Sequence, residues 1–201
     1  FHGINHQHVA ETVATQWQQQ GRDAKQLRLI SAHLGAGASL AAIQGGVCID
    51  TTMGYTPLEG LVMASRCGSV DPGLLLELMR EGMGEAELAN LLQKQAGLKG
   101  LSGLSGDMRE IREQAAAGHQ GALLALDVFR QRLLQLIGAM AASLQGVEVL
   151  ALTGGIGEHD QSLRGELDEA LAWLPNLELV IVPADEEGMI ARLCRRSTAV
   201  G

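Results

Sequence analysis

Apolar residues recur every four positions near the start of the chain, at Val9, Val13 and Trp17. This spacing places the three side chains on one face and predicts a helix over residues 9–20, which Gly21 ends. Later helices begin at capping residues, such as Asp71 before Pro72. These later helices are predicted over residues 56–59, 71–80, 84–95, 108–117, 119–144, 162–173 and 185–194.

Short apolar runs between glycine or polar residues predict the strands. They lie over residues 27–33, 40–43, 47–50, 147–152 and 177–182. Gly45-Gly46, between the second and third runs, is typical of a hairpin turn. A hairpin followed by alternating helices and strands predicts an α/β fold, with a mixed sheet flanked by helices and parallel pairing in the second half.

Two glycine-rich segments each follow a predicted strand, at residues 33–39 and 153–158. Glycine has no Cβ atom, so the backbone N–H groups of such a loop can crowd an anion, and a following helix N-terminus adds partial positive charge. Two such loops, far apart in sequence, indicate one nucleotide held by several backbone contacts. They predict a phosphoryl-transfer domain.

Composition narrows the classes of function. The chain of 201 residues is 46% hydrophobic and 19% charged, which is typical of a folded soluble protein of one large or two-lobed domain. A net charge of −8 and 2% aromatic residues argue against nucleic acid or an anionic membrane as the main partner. The three cysteines form no CxxC pair, and we expect free thiols in a reducing cytoplasm.

The sequence has neither a membrane-length apolar run nor a signal peptide pattern, so we expect a cytoplasmic location. It begins at Phe1 without a methionine, inside what reads as functional sequence, and we expect a fragment of a longer protein.

An ordered set of motifs resembles the C-terminal half of acetate kinases and spans nearly the whole chain. The matching stretches are Phe1-His2-Gly3 with His6, and residues 33–39, 50–60, 65–68, 102–109, 155–158 and 185–192. The resemblance implies an actin-like ATPase (ribonuclease H-like) fold, with residues 1–201 as the C-terminal nucleotide-binding domain. It also implies reversible transfer of the γ-phosphoryl group of ATP to acetate, and an N-terminal domain that supplies the rest of the site.

The resemblance gives His2 and Arg66 catalytic roles. Aimed donors stabilise the charge that a phosphoryl group spreads over its equatorial oxygens during transfer, and a guanidinium can grip two of those oxygens at once. From the sequence alone, a mobile terminus is favoured for His2 and a surface ion pair for an arginine such as Arg66, and the motifs reverse both preferences. For His6 we expect a structural role.

Three groups of residues resemble the nucleotide site. They are His33, Leu34, Gly35, Ala36 and Gly37 at the phosphates, Asp107, Met108 and Arg109 at the adenosine, and Gly155, Ile156, Gly157, Glu158 and His159 under adenine and ribose. Ala36 and His159 stand where the family usually has Asn. Local structure offers alternatives: a tight turn between strands for the first loop, an N-cap for Asp107, and close helix–strand packing for Gly154 and Gly155.

Glu186 corresponds to the residue that the family associates with Mg²⁺. The neighbouring Asp185 and Glu187 need no function, because the helix dipole favours acidic residues in a first turn. The resemblance also implies a homodimer through this domain. The alternatives are a propionate kinase, a nucleotide-binding or dimerisation module without turnover, and a sugar-kinase or chaperone relative that shares only the fold.

Overall fold

The structure, a computed structural model, describes residues 2–198 and is built on a five-stranded sheet. The strands are β1 (Arg28–Leu34), β2 (Ala38–Gln44), β3 (Val47–Thr51), β4 (Val149–Thr153) and β5 (Glu178–Ile181). Their order across the sheet is β3-β2-β1-β4-β5. β2 and β3 pair antiparallel, whereas β4 pairs parallel with both β1 and β5, which confirms the mixed α/β sheet.

Helices account for most of the remaining described residues. They are α1 (Gly3–Gln19), α2 (Pro72–Arg80), α3 (Glu85–Asn90), α4 (Gly97–Ser102), α5 (Met108–Ala116), α6 (Gln120–Ser143), α7 (Gly154–His159), α8 (Gln161–Ala170) and α9 (Glu186–Thr198). A 3₁₀ turn covers Ala24–Gln26, and a π-helical turn covers Leu91–Gln95. Within residues 2–198, none of the helices has the length and apolar character needed to span a bilayer.

The structure changes the bounds of two predicted helices and adds two helices that were not predicted. Helix α1 begins at Gly3 rather than at Val9, and α3 passes into the π-helical turn after Asn90. Helix α4 was not predicted, and α7 occupies the segment predicted as a glycine loop.

The short helix predicted over residues 56–59 is wrong, because these residues form a turn. Gly60 follows with φ +99°, and a Cβ atom there would lie 2.5 Å from the carbonyl oxygen of Thr52. After the turn, the backbone at Gly60 therefore packs closely against Thr52 instead of continuing into a helix.

The chain divides into two compact units. The first comprises the described residues up to Leu34, together with Ser39–Thr51 and the part that begins at Ile137. The second comprises Gly35–Ala38 and Thr52–Leu136.

In the first unit, helix α1 packs on one face of the sheet. Its apolar stripe of Val9, Val13 and Trp17 lies in the same buried cluster as Leu29 of β1 and Val149 of β4. Because strand side chains alternate between faces, the residues two and four positions further along β1 and β4 lie on the same face. Those positions include the polar residues Ser31, His33 and Thr153. The candidate residue His33 and its polar neighbours therefore face the start of α1.

The second unit has its own buried residues. Leu61, Met63, Leu98, Ile111, Phe129 and Leu133 are nearly or fully inaccessible to solvent. Cys67 of this unit is half-buried, while Cys48 and Cys194 of the first unit are exposed. Within residues 2–198 none of the three cysteines is joined in a disulfide, which agrees with the thiols expected from the sequence.

Helix α6 offers a matched test of this burial. Leu133 is 0% exposed and Leu124 is 52% exposed on the same helix. We expect Leu133→Ala to lower the free energy of unfolding by about 2–5 kcal/mol, through lost apolar burial and the cavity that remains. Leu124→Ala removes the same atoms from a solvent-exposed position and should change the free energy of unfolding by less than about 1 kcal/mol. Urea denaturation of the two variants measures the difference, and equal losses would contradict this packing.

Candidate functional site

His6 lies inside a hydrogen-bonded cluster at the start of α1. Its Nδ1 and Nε2 atoms each lie 2.8 Å from a serine hydroxyl, those of Ser31 and Ser39 respectively. The Ser39 hydroxyl also lies 2.9 Å from His2 Nδ1. Burial lowers the pKa of His6 to about 3, and the nearby His33 and His2 contribute to the same shift. A neutral, buried His6 with both ring nitrogens bonded confirms the structural role expected of it.

His33, near the end of β1, stacks on His2 with 4.1 Å between ring centroids. Its Nδ1 atom lies 2.8 Å from Nδ2 of Asn5. Burial lowers the pKa of His33, although the carboxylates of Glu186 and Glu158 act to raise it. The first unit therefore brings His2 and His33 into contact and places Glu158 and Glu186 within electrostatic range of His33.

Asn5 is the residue of this cluster that the sequence analysis missed. It is fully buried, and its Nδ2 atom also donates to Oγ1 of Thr153 across 3.2 Å. A sequence signal was present, because Asn5 lies four residues before Val9 on the predicted apolar stripe. Extending that stripe backward would have identified a buried amide.

The second glycine segment forms α7, and its residues serve different purposes. Gly154 has φ +78°, and a Cβ atom there would lie 2.8 Å from the carbonyl oxygen of Leu34. This confirms the packing interpretation for Gly154. Gly155 is exposed, and a Cβ atom there would meet nothing within 4 Å, so packing does not explain it. Ile156 is half-buried and His159 exposed.

Glu158 is engaged within the chain. Its Oε1 atom accepts hydrogen bonds from the backbone N–H groups of Gly154 and Ala184, each at 3.0 Å. The carboxylate thus ties the start of α7 to the segment that leads into α9. Gly157 is buried, and its Cβ position would make ordinary contact with Leu152.

Helix α9 begins with two acidic residues, Glu186 and Glu187, directly after Asp185. The Asp185 carboxylate is bonded to residues of the helix itself. Asp185 accepts a hydrogen bond from the Gly188 N–H at 3.1 Å and pairs with Arg192 at 3.3 Å. Glu186 is exposed, and no hydrogen bond or ion pair joins its carboxylate to another residue of the described chain. Glu187 is also exposed, and no hydrogen bond or ion pair joins it to the described chain, so both carboxylates are open to an external cation. Of the two, Glu186 is the one that acts electrostatically on His33.

The metal-ligating residues between positions 2 and 198 form no cluster of three or more that could hold an ion by itself. Mg²⁺ retains several waters and needs only one or two protein carboxylates together with nucleotide oxygens. An exposed Glu186 fits that mode of binding and does not fit a closed protein cage.

In the second unit, the first glycine loop is a tight turn. The Gly35 N–H donates to the carbonyl of Gly37 at 3.0 Å, and the Ala36 carbonyl accepts from the Ala64 N–H at 3.1 Å. The turn interpretation is confirmed, and the backbone carbonyl of Ala36 takes part in a hydrogen bond that holds the loop. Ala64 stands two residues before Arg66, so this bond links the loop to the Arg66 segment.

Arg66 is half-buried, and its guanidinium contacts neutral atoms. Its Nη1 atom lies 3.4 Å from the Pro57 carbonyl and 3.7 Å from Sδ of Met63. Within residues 2–198, no carboxylate lies within ion-pair distance of it. Other arginines do pair with carboxylates, among them Arg22, Arg28, Arg80, Arg109, Arg130 and Arg192. The Arg66 guanidinium is held in place without being neutralised.

The segment that carries Arg66 lies on the start of α4 through backbone bonds. Leu98 and Lys99 N–H groups donate to the carbonyls of Met63 and Ala64, at 2.9 and 3.0 Å. Between these segments Gly97 has φ +63°, and a Cβ atom there would lie 2.6 Å from the Arg66 carbonyl oxygen. Only glycine permits this close approach of two backbones.

Asp107 and Arg109 are paired with each other at the start of α5. The Asp107 carboxylate caps the helix by accepting from the Arg109 N–H at 2.9 Å, which confirms its N-cap role. The Arg109 guanidinium also contacts it at 2.6 Å and holds the pKa of Asp107 at about 2. Arg109 is highly exposed, whereas Met108 between them is buried.

Comparison with known proteins places these features in a family. The sequence profile described as "Acetokinase family" matches residues 1–177. The acetate kinase of Synechococcus sp. (strain JA-2-3B'a(2-13)) is 51% identical over 87% of this chain and 42% of its own length. The chain thus spans about half the length of the curated relatives it matches.

Solved structures agree with this likeness. The crystal structure of Porphyromonas gingivalis acetate kinase matches with a TM-score of 0.89 and 36% identity, over 96% of this chain and 53% of that one. A propionate kinase from Francisella tularensis matches with a TM-score of 0.86 and 34% identity, over 94% and 53%. The predicted actin-like ATPase fold, with its mixed sheet and flanking helices, is therefore confirmed.

The close approach at Gly97 predicts a specific loss of stability. Gly97→Ala and Gly103→Ala both place alanine at positive φ, +63° and +70°, which costs about 1–2 kcal/mol at either position. Only Gly97→Ala also drives a methyl group into the Arg66 segment, since a Cβ atom at Gly103 would meet nothing within 4 Å. We expect the urea midpoint to fall further for Gly97→Ala, and a midpoint equal to that of Gly103→Ala would refute the close contact.

The lowered pKa of His6 predicts a dependence of stability on pH. The unfolded chain takes up a proton on His6 near pH 6.5, whereas the folded chain does so only near pH 3. Between these values the unfolded state binds more protons, so the free energy of unfolding falls as the pH drops. The slope from His6 approaches about 1.4 kcal/mol per pH unit.

Urea denaturation at pH 7 and pH 5 measures this effect. His6→Gln should lose part of the pH dependence, even though it is less stable at pH 7. The exposed His159 provides the control, and His159→Gln should keep the parent's slope. A parent slope that survives in His6→Gln would show that His6 titrates normally in the folded chain.

Proposed function

Because this chain belongs to the acetokinase family, we propose that it forms the C-terminal, nucleotide-binding half of an acetate kinase-like phosphotransferase. The enzyme would transfer the γ-phosphoryl group of ATP to a carboxylate oxygen of acetate, giving acetyl phosphate and ADP, and would also catalyse the reverse reaction. The motif order supports the C-terminal assignment. It leaves the other half of the site to a part of the protein outside these residues.

One observation carries the proposal, namely the Arg66 guanidinium without a carboxylate partner within residues 2–198. A half-buried cation that the surrounding residues do not neutralise is suited to an anion that arrives from outside. Its contacts with the Pro57 carbonyl and Met63 sulfur orient it but leave most of its donors for phosphoryl oxygens. During transfer, Arg66 would stabilise the charge on the equatorial oxygens.

His2 would act on the same charge. Stacking on His33 and the hydrogen bond to Ser39 fix the orientation of the His2 ring. The acceptor carboxylate is already ionised at neutral pH, so these residues orient and stabilise and need not remove a proton. The bond from phosphorus to the acceptor oxygen forms as the bond to the ADP oxygen breaks.

Each glycine segment is a proposed nucleotide contact within its own unit. The backbone of residues 35–37 would face the phosphates of the nucleotide, and the exposed Gly155 would let adenine and ribose approach α7. Mg²⁺, held by Glu186 together with water and nucleotide oxygens, would supply neutralisation of phosphate charge. Arg109 would cover the base, and Asp107 would serve chiefly to hold Arg109 in place.

A second candidate is a nucleotide-binding or dimerisation module without turnover. Ala36 favours it, because an alanine side chain cannot donate to a phosphate. Exposed Leu74, Leu76 and Met79 on α2 favour association with a second copy. Propionate is an alternative acceptor, since one of the similar structures is a propionate kinase.

Calorimetric titration of this chain with Mg·ADP tests the nucleotide site. The parent should bind, and Gly155→Val should abolish binding, because its branched side chain fills the space that the nucleoside needs. Gly165→Val is the matched control, since Gly165 is also an exposed helical glycine with nothing within 4 Å of its Cβ position. Arg66→Ala should retain ADP binding, because ADP lacks the phosphoryl group that Arg66 would contact.

Circular dichroism of each variant establishes that it is folded. A folded parent that fails to bind Mg·ADP would contradict a nucleotide site on this chain alone and favour the dimerisation module. Binding lost equally in Gly155→Val and Gly165→Val would place the nucleotide elsewhere.

A further inference from the structure

The buried amide of Asn5 has hydrogen-bond partners at its nitrogen but none at its oxygen within the described chain. Its side chain is fully buried, and Nδ2 makes two contacts, with Nδ1 of His33 at 2.8 Å and Oγ1 of Thr153 at 3.2 Å. The Oδ1 atom is buried and has no hydrogen-bond partner in the described chain. An unsatisfied buried acceptor costs free energy, so this orientation needs a compensating reason.

The chemistry of the two groups fixes the position of one proton. An amide nitrogen only donates, so Nδ1 of His33 must accept. Burial keeps His33 neutral at neutral pH, because it lowers the pKa more than Glu186 and Glu158 raise it. A neutral imidazole that accepts at Nδ1 carries its hydrogen on Nε2.

We propose that Asn5 is a positioning residue that holds His33 as the Nε2–H tautomer, so that His33 presents an N–H donor to a phosphate oxygen. The phosphate part of this inference rests on the proposed function, whereas the tautomer rests on the buried contacts alone. Nε2 of His33 has no partner among residues 2–198, which leaves its hydrogen for a ligand. The opposite tautomer would turn a lone pair toward the anion and repel it.

The rest of the cluster leaves Asn5 as the group that sets this tautomer. The ring of His33 meets His2 by stacking, which does not distinguish its two nitrogens. Ser31 and Ser39 bond to His6 rather than to His33. In the competing arrangement the Asn5 amide is rotated by 180°, so that Oδ1 accepts from an Nδ1–H of His33. The amide NH₂ is then buried without its bonds to His33 and Thr153.

Nitrogen-15 NMR of the uniformly labelled chain at neutral pH separates the two arrangements. Long-range proton–nitrogen correlations show which ring nitrogen of His33 carries the proton, and a His33→Gln variant assigns the signals. We expect the proton on Nε2, and a scalar coupling across the hydrogen bond from Asn5 Nδ2 to His33 Nδ1. A proton on Nδ1 without that coupling would overturn the proposal.

Two variants test whether Asn5 causes the tautomer. In Asn5→Asp the carboxylate can only accept from His33, so the proton should move to Nδ1. In Asn5→Leu, which keeps an apolar side chain of similar size should the aspartate prevent folding, a fraction of His33 should carry its proton on Nδ1. An unchanged Nε2–H population in a folded variant would overturn the role of Asn5.

Ser39→Ala is the matched control, because it removes the bonds to His6 and His2 but none to His33. His33 should remain the Nε2–H tautomer in this variant, and a change there would assign the tautomer to the serine network. These readouts need no nucleotide. Failure of Mg·ADP to bind would therefore count against the proposed function alone, and a wrong tautomer against Asn5 alone.

Discussion

The first unit depends on one constraint: polar side chains buried between α1 and the sheet must bond to each other, and within residues 2–198 only Oδ1 of Asn5 is a buried polar side-chain atom left without a partner. Ser31, His33 and Thr153 occupy the strand positions that face α1, and the sheet register pairs His33 with Thr153. The first turns of α1 supply the partners, Asn5 and His6. A buried polar group without a partner would cost about 1–3 kcal/mol, so this matching fixes the register of the helix on the sheet.

The same matching explains why the apolar and polar parts of α1 are ordered along the helix. Val9, Val13 and Trp17 meet the apolar beginnings of the strands, while Asn5 meets their polar ends. The apolar core of this unit and its polar cluster around Asn5, His6 and His33 are therefore one continuous packing layer. A change in the core of this unit would move His2 and His33 with it, because both are carried by the elements that the core joins.

Sequence patterns found what is local and missed what depends on distant partners. The five strands, the hairpin and the helices with clear caps, such as α2 and α5, follow from periodicity and capping chemistry. The turn at residues 56–59 and the start of α4 follow instead from close backbone approaches at Gly60 and Gly97. The first two turns of α1 were missed because their buried face is polar, and only the facing strands make burial of Asn5 favourable.

The site residues divide by a test that the sequence cannot apply, namely whether a side chain already has a partner. Asp107, Glu158 and Asp185 are each committed to backbone N–H groups, so they shape the loops and helix starts. Arg66 and Glu186 have no ionic partner within residues 2–198, and Gly155 has open space. The resemblance places all of these residues except Asp185 in one candidate site, whereas the contacts divide them between two different tasks.

Ala36 shows how the same test treats a departure from the family pattern. The loop around it is held by the Gly35–Gly37 bond and by the bond from Ala64 to the Ala36 carbonyl, all of them backbone contacts. No side chain at position 36 is needed for that conformation, so replacing the usual Asn leaves the loop's backbone donors where they are. Under the proposed function, what the replacement removes is a side-chain contact with the nucleotide. On that proposal Ala36 would change the strength of phosphate binding, whereas the backbone bond between this loop and the Arg66 segment does not depend on the side chain.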